Sequence, residues 1–355
     1  MKKKRLLFFV GNLNKRAGTE RVVIQVMNSL HDFYDINVVS FEAYKLEQGF
    51  SLDKNISIIS IRDEGFKRGF FNESLKLRRI VKEINPDIFI SVESMLTLFS
   101  FPSTIFTKVK LINWEHFNFN NRAGSRKRPI ARRIALLFFD LIIVLTDKDK
   151  NEWQKHFGFS KVQRIYNPMP VKFDNGFNVN SKRILTAGRL VKEKRIDKLL
   201  LSWSLVKDKN GNILEIAGDG PEKNNLVSLA SKLGVANSVR FVGQISDMKM
   251  FYQNSKLFVL TSKNEGFGLV LTEALSNSIP VISFNCPVGP SEIIVDSVNG
   301  NLIGDGDHIE LSRQLQRVID EPNILVKYST NAIASLGAFD STKVTRQWRE
   351  MLDSL

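Results

Sequence analysis

The strongest constraint on what this chain can fold into is a double alternation. Short apolar runs suited to strands alternate with amphipathic stretches suited to helices; the alternation stops once and then restarts. In the first series, residues 6–10, 36–40, 56–61, 87–92, 109–112 and 141–146 read as strands. Residues 19–31 read as a helix, because Val22, Val23, Val26, Met27 and Leu30 fall on one face, and 73–84 and 126–139 read the same way. Strands without polar alternation, such as Ile88-Phe-Ile90, suit a parallel sheet covered on both faces. Residues 167–182 break the pattern with prolines, a glycine and asparagines. The second series has strands at 184–186, 213–217, 239–242, 257–261 and 281–284. Its helices include 221–233 and 246–254, the latter with Ser246 as N-cap, and residues 309–355 are helical by pattern with a new start at Pro322. The expectation is an α/β chain of two doubly wound, Rossmann-like parallel-sheet domains facing a central cleft, with ligands beyond the carboxyl ends of the strands. Their bounds are 1–168 for an acceptor-binding domain, 169–182 for a linker and 183–335 for a donor-binding domain, with 336–355 a helix packing back on the first.

Bulk properties narrow the class. A content of 43% apolar and 25% charged residues is that of a soluble globular chain. No apolar run approaches the roughly 20 residues that span a bilayer. The start, Met1-Lys-Lys-Lys-Arg5 followed by Leu6 to Val10, mimics a signal peptide, but its apolar part is too short and reads as a buried strand. The single Cys286 leaves no internal disulfide framework or cysteine metal cluster and fits a reducing cytoplasm. Charge is uneven: residues 1–170 hold 29 Lys and Arg against 17 Asp and Glu, a net of +12, while 171–355 hold 22 against 20, a net of +2. The excess gathers at Arg122, Arg126, Lys127, Arg128, Arg132 and Arg133. Such a face attracts nucleic acid, anionic lipid or a pyrophosphate-linked substrate, or it simply keeps the protein in solution.

Three short segments carry chemistry. Gly188-Arg-Leu-Val-Lys-Glu-Lys194 directly follows a strand, so Arg189 and Lys194 stand in a loop at a strand's carboxyl end, where two cations can stabilise a departing diphosphate. Taken alone, they also read as exposed basic residues. Ala217-Gly-Asp-Gly-Pro221 turns from a strand into a helix, and by itself is capping chemistry by Pro221 and Asp219. In Ser262-Lys-Asn-Glu265-Gly-Phe-Gly268, which precedes a helix over 269–276, Gly266 and Gly268 allow close approach of backbone to a ligand, and the helix start offers free N–H groups to phosphate. Glu265 and Glu273 are eight residues apart, slightly over two helical turns, and could address one ligand's hydroxyls from two positions. Apolar Leu271, Ala274 and Leu275 put Glu273 on a buried flank, where a carboxylate needs a partner.

Glu265-Gly-Phe-Gly-Leu-Val-Leu-Thr-Glu273 resembles the E-x7-E signature of family 4 glycosyltransferases. Gly188-Arg189 with Lys194, and Ala217 to Pro221, resemble that family's other markers in order and spacing, and Ala17-Gly18-Thr-Glu20-Arg-Val resembles its first glycine-rich loop. The resemblance spans nearly the whole chain. It implies the GT-B fold and retaining transfer from a nucleotide-diphosphate sugar, without cofactor or metal. By the same resemblance, Arg189 and Lys194 grip the diphosphate, and Gly188, Gly266, Phe267, Gly268, Leu269 and Val270 bring backbone to the phosphates and sugar. Glu265 binds sugar hydroxyls, Glu273 holds the ribose, Gly18 lets its loop close over the donor, and His116 of Asn113-Trp-Glu-His116 stands near the donor sugar; a lone His otherwise reads as structural. Two positions depart from the pattern: Arg16-Ala17 replaces the usual first glycine, and Lys194-Arg195 stands where Lys-Gly is common.

Pro287-Val-Gly-Pro-Ser-Glu292 resembles members that build bacterial surface polysaccharides, O-antigen among them, on lipid carriers; Glu292 reads equally as a ligand contact or a first-turn acid. Asp147-Lys-Asp149 and Asp305-Gly-Asp307 fit the D-x-D pattern of metal-diphosphate sites, but both open helices and read as capping acids. The reading is therefore a retaining, metal-independent transferase moving a hexose or N-acetylhexosamine, UDP-linked by preference, to a lipid-linked or polysaccharide acceptor. Its mechanism would be a front-face substitution in which the donor phosphate takes the acceptor's proton. It would work in the cytoplasm at the inner face of the membrane, docked on anionic lipid through its basic first half, with no nucleic-acid partner. The rivals are a sugar-nucleotide epimerase of the same fold and a non-catalytic nucleic-acid binder using 122–133, where the aromatics needed for stacking are sparse. A nicotinamide dehydrogenase lacks its glycine fingerprint, since Gly11 to Gly18 has the wrong spacing.

Overall fold

The structure, a computed structural model, describes residues 3–15, 17–45, 50–62, 68–121, 124–157, 161–169, 176–245 and 247–355. The chain folds as two units, Met1–Pro168 with Ser341–Leu355, and Met169–Asp340.

The first unit is built on seven parallel strands, β1 (Arg5–Val10), β2 (Asp35–Glu42), β3 (Ser57–Arg62), β4 (Ile88–Val92), β5 (Lys110–Trp114), β6 (Leu141–Val144) and β7 (Val162–Arg164), in the order β3-β2-β1-β4-β5-β6-β7. The largely apolar β1 and β4 lie side by side at the centre, where both faces are covered. The second unit repeats the plan with β8 (Arg183–Ala187), β9 (Ile213–Ala217), β10 (Val239–Gly243), β11 (Leu257–Leu260), β12 (Val281–Phe284) and β13 (Gly300–Ile303), all parallel, ordered β10-β9-β8-β11-β12-β13. Strands β7 and β13 go unread in the sequence. One has three residues and the other begins on Gly300, so neither shows an apolar run. Helices Thr97–Thr104 and Ile196–Leu205 complete the layers.

Of the expected linker, 170–175 lie outside the described residues. The stretch after them is built into the second unit: Ser255 N–H donates to Gly176 O at 2.9 Å and Asn178 N–H to Ser255 O at 2.8 Å. Met169 N–H donates to Phe339 O at 2.6 Å, so the two points where the chain passes between units are neighbours in space. Helix Ser341–Ser354 then belongs to the first unit. Its Trp348 meets Trp114 edge-on at 4.7 Å between ring centroids, and Tyr34 donates its hydroxyl to Asp353 at 2.7 Å. Burying an aromatic of that size contributes about 1.5–3 kcal/mol. Ser246 lies outside the described residues; helix Met248–Tyr252 is capped by Asp247, whose carboxylate accepts from Lys249 N–H at 2.9 Å.

The basic cluster of the first unit is not the continuous surface that its spacing suggests. Arg128 and Arg132, on helix Arg128–Phe138, are 3% and 4% exposed. Arg128 pairs with Glu93 at 2.7 Å, and Arg132 pairs with Glu115 at 3.1 Å while also donating to backbone carbonyls of Phe117, Asn118 and Phe119. A buried cation persists only when its charge and donors are answered in this way. Arg126, Lys127 and Arg133 are exposed, and Arg122 lies outside the described residues.

Candidate functional site

Strands β8 and β11 are adjacent although two strands, β9 and β10, separate them in sequence, which makes the gap beyond their carboxyl ends the second unit's topological switch point. The loops leaving these two strands carry Arg189, Lys194 and Glu265.

The loop after β8 lies on the turn after β9. Gly188 N–H donates to Ala217 O at 3.0 Å, Leu190 N–H to Asp219 O at 2.9 Å, and Glu222 N–H returns to Leu190 O at 3.1 Å. Gly218 has φ +130°, and a Cβ there would overlap the Gly188 carbonyl, so this position needs glycine on both counts. The Ala217 to Pro221 segment is thus the bed for the Gly188 loop. Its Asp219 faces Lys223 at 3.1 Å, which holds the carboxyl below its ordinary range.

Residues Lys192–Lys194 form one 3-10 turn, closed by Arg195 in the left-handed region at φ +48°. An arginine stands there without glycine's freedom because its guanidinium is anchored 2.6 Å from Asp305. Lys194 runs its alkyl arm alongside Gly188 and places Nζ 2.6 Å from Glu265 Oε1. The two loops are further joined by Thr261 Oγ1 donating to Lys194 O at 3.0 Å and Lys263 N–H donating to Glu193 O at 2.8 Å. Arg189 is exposed, and its guanidinium has no carboxylate partner among the described residues.

Helix Leu269–Ser276 begins just past Glu265. Gly268, at φ +100°, is its N-cap, and no described side chain caps it; Leu271 N–H turns back to Gly268 O at 2.8 Å, which leaves the amides of Leu269 and Val270 to face an anion. Glu273 is 4% exposed and accepts the Tyr252 hydroxyl at 2.8 Å, which supplies the partner that its burial demands. The Phe267 side chain is buried edge-on against Phe339 at 5.5 Å, while Gly266, Leu269 and Val270 are half-buried. Glu292 sits in the first turn of the short helix Pro290–Ile293. Burial first, then the Glu265 and Asp305 carboxylates, pushes the Cys286 thiol up to about 12, so it is no nucleophile at neutral pH.

Gly18 and His116 belong to the first unit. Gly18 is the first residue of helix Gly18–Leu30, whose N-cap Ala17 is extended and contributes no side-chain bond; Arg16 lies outside the described residues. His116 follows β5. Glu115 Oε1 accepts the N–H groups of His116 and Phe117 at 3.1 and 3.0 Å, and its other oxygen is held by Arg132 and Ser94, so a buried carboxylate shapes the turn. The imidazole lies 4.6 Å from the Trp114 ring, and burial lowers its pKa to about 3, leaving it neutral. Its Nε2 is buried without a hydrogen-bond partner among the described residues and can engage one polar group.

The D-x-D acids have separate duties. Asp307 caps helix His308–Asp320 by accepting Glu310 N–H at 2.9 Å, Asp305 serves Arg195, and Asp147 pairs with Arg164 at 3.1 Å. Asp149 does not cap: Thr146 takes that role, accepting from Asp149 N–H at 3.1 Å, while the buried Asp149 carboxylate accepts Phe119 N–H at 2.6 Å. Burial raises its pKa to about 7. Among the described residues no three His, Cys, Asp or Glu side chains gather as a metal-holding group. Sequence reading missed Tyr252, Glu115 and the Arg195–Asp305 pair, because each becomes functional only through a neighbour distant in the chain.

Two family models cover most of the chain: Glycosyltransferase Family 4 over residues 16–173 and Glycosyl transferases group 1 over residues 170–335. An uncharacterized glycosyltransferase of Haemophilus influenzae is 30% identical over 98% of this chain and all of its own length. A Campylobacter jejuni N-acetylgalactosaminyltransferase, named for an undecaprenol-pyrophosphate-linked saccharide, is 26% identical over 98% of each chain. In fold, the Anabaena protein HepE, crystallised with UDP and glucose, matches with a TM-score of 0.83 at 20% identity over 99% of this chain and all of its own.

Proposed function

The chain belongs to glycosyltransferase family 4 with the GT-B fold, and from that premise we propose that it is a retaining transferase moving a hexose or N-acetylhexosamine from a UDP-sugar to a lipid-linked saccharide in bacterial surface-glycan synthesis. One observation carries the proposal: Lys194 and Glu265 meet at 2.6 Å at the switch point, beside the open start of helix Leu269–Ser276 and the exposed Arg189. In this reading Arg189, Lys194 and the first-turn amides take the donor diphosphate, Glu265 takes sugar hydroxyls and Glu273 the ribose. The departing diphosphate's charge is met by fixed cations and dipoles, which also lets the reaction run without a metal. His116, neutral and with Nε2 open, is suited to hydrogen-bonding a sugar hydroxyl or the developing transition state rather than to general-base work. The donor phosphate itself accepts the acceptor's proton on the face that it vacates.

UDP as the carrier is supported by the UDP-bound structural relative, and a lipid-pyrophosphate acceptor by the Campylobacter relative's name. Among the described residues no helix is long and apolar enough to cross a membrane; in this reading the lipid-linked acceptor is met from the surface, at the inner face of the cell membrane. Calorimetric titration with UDP, GDP and their hexose and N-acetylhexosamine conjugates, with and without EDTA, tests the donor assignment. NMR of the transferred sugar's anomeric configuration tests retention. Turnover of donor without any acceptor, giving an epimerised sugar nucleotide, would overturn the proposal.

A further inference from the structure

We infer that the first unit docks on an anionic lipid bilayer through an apolar surface shared by helices Phe70–Ile84, Thr97–Thr104 and Arg128–Phe138, with Phe106 inserted between headgroups. This rests on the reading above that the acceptor is membrane-bound, and it relocates the contact. Half of the cationic cluster that sequence spacing suggests is either buried in ion pairs or outside the described residues, whereas these three helices and the turn after Thr104 leave large apolar side chains in water, among them Phe71, Leu75, Phe106, Ile130, Leu137 and Phe138.

The three helices are neighbours. Arg78 donates to the carbonyls of Pro102 and Ile105 at 3.3 and 3.0 Å, and Ser103 Oγ donates to Ser74 O at 3.0 Å, which fixes the first helix against the second. Phe101 stacks on Phe138 with ring centroids 4.1 Å apart, which fixes the second against the third. On Phe70–Ile84 the exposed face runs Phe71, Leu75, Arg79, Lys82, at helical spacing opposite the buried Leu77, Ile80 and Val81. On Arg128–Phe138 it runs Ile130, Arg133, Leu137. Phe106 is 99% exposed and lies in the left-handed region at φ +63°, a conformation that aromatic residues seldom adopt. A strained turn that holds a phenylalanine wholly in water is locally unfavourable twice over, and embedding the ring removes the hydration part.

Charge identifies the occupant. Arg79, Lys82, Lys108, Arg126, Lys127 and Arg133 are exposed on these helices or within four residues of their ends, and none has an acidic side chain as partner among the described residues. The acids on the three helices are Glu73, buried against Arg62 at 2.7 Å, and Glu83 near the end of its helix. Aromatic and aliphatic side chains interspersed with cations suit the interfacial zone of an anionic bilayer, where apolar insertion and headgroup attraction add. A protein partner or a second copy would need acids to answer the cations, and a second copy of this face would bring like charge against like.

The test is vesicle co-sedimentation of the full chain on liposomes of phosphatidylglycerol with phosphatidylethanolamine, and on phosphatidylcholine alone. The wild type should bind the anionic vesicles and leave phosphatidylcholine largely unbound, with binding weakened at high salt. The double variant Phe106→Ser with Leu137→Ser should lower partitioning by about tenfold or more. Both residues are exposed, so the fold should persist; unchanged UDP affinity by calorimetry checks this. Binding of the double variant equal to wild type would overturn the inference. So would a concentration-dependent dimer, abolished by the same substitutions, in a protein that ignores vesicles. Absence of UDP binding in the wild type would count against the proposed donor and leave the vesicle result to be judged separately.

Discussion

Lys194 Nζ and Glu265 Oε1 are 2.6 Å apart although 71 positions separate them, and this ion pair joins the loop after β8 to the loop after β11. In the proposed reading the cation that takes the diphosphate is matched by a carboxylate until a donor arrives, and the carboxylate then receives sugar hydroxyls. Lys194→Ala should lower kcat by orders of magnitude. Glu265→Gln separates the two roles. It should leave UDP affinity unchanged or improved, because Lys194 loses its competitor, and should cut transfer from the UDP-sugar by about 10- to 100-fold for one charge-assisted hydrogen bond. Equal loss of UDP binding and of transfer in Glu265→Gln would contradict this division.

Tyr252 and Glu273 make the second cross-element pair. Tyr252→Phe removes a donor from a buried carboxylate, and stability should fall by about 1–3 kcal/mol. The carboxylate also loses the hold of that hydroxyl, so, if Glu273 binds the ribose as proposed, UDP affinity should weaken by a few-fold. Chemical denaturation and calorimetry on the same variant measure both effects. Unaltered stability would mean that water replaces the phenol.

Neighbouring arginines should behave differently. Arg132→Ala leaves Glu115 buried with one cation fewer and strips donors from four carbonyls, and should cost about 3–5 kcal/mol. Arg133→Ala, on the exposed face of the same helix, should stay within about 0.5 kcal/mol in denaturation midpoints converted to free energy.

Two buried groups of the first unit give pH effects of opposite sign. His116 has a folded pKa lowered from 6.5 to about 3, so between those values the unfolded chain binds more protons, and its contribution to stability is lost as pH falls. Asp149 has a folded pKa raised from 3.8 to about 7, so its contribution is present at low pH and lost as pH rises through that window. Each proton carries a slope of up to about 1.4 kcal/mol per pH unit. Asp149→Asn should therefore gain stability relative to wild type at pH 8 and not at pH 4, whereas His116→Gln should flatten the loss between pH 6 and pH 4. Denaturation at several pH values for both variants checks the signs.

The two series of strands and helices, the family and the donor-site motifs were legible in the sequence because they depend on local causes. A continuous apolar run makes a covered strand whatever surrounds it, and glycines at positions 188, 218 and 268 mark places where backbone must turn or approach closely. Short β7 and β13 were not legible, since three or four residues carry too little periodicity to outweigh a turn. Nor was the division of labour among like residues. Arg128 and Arg132 differ from Arg133 only in which face of one helix meets Glu93 and Glu115, and that is set by packing between segments remote in the chain. The same holds for Tyr252 on Glu273, Asp305 on Arg195 and Glu265 on Lys194. Local sequence determined which elements form and where phosphate chemistry could sit. Only the tertiary structure decided which charges are paired and buried and which face water, because desolvation acts on neighbours in space rather than along the chain.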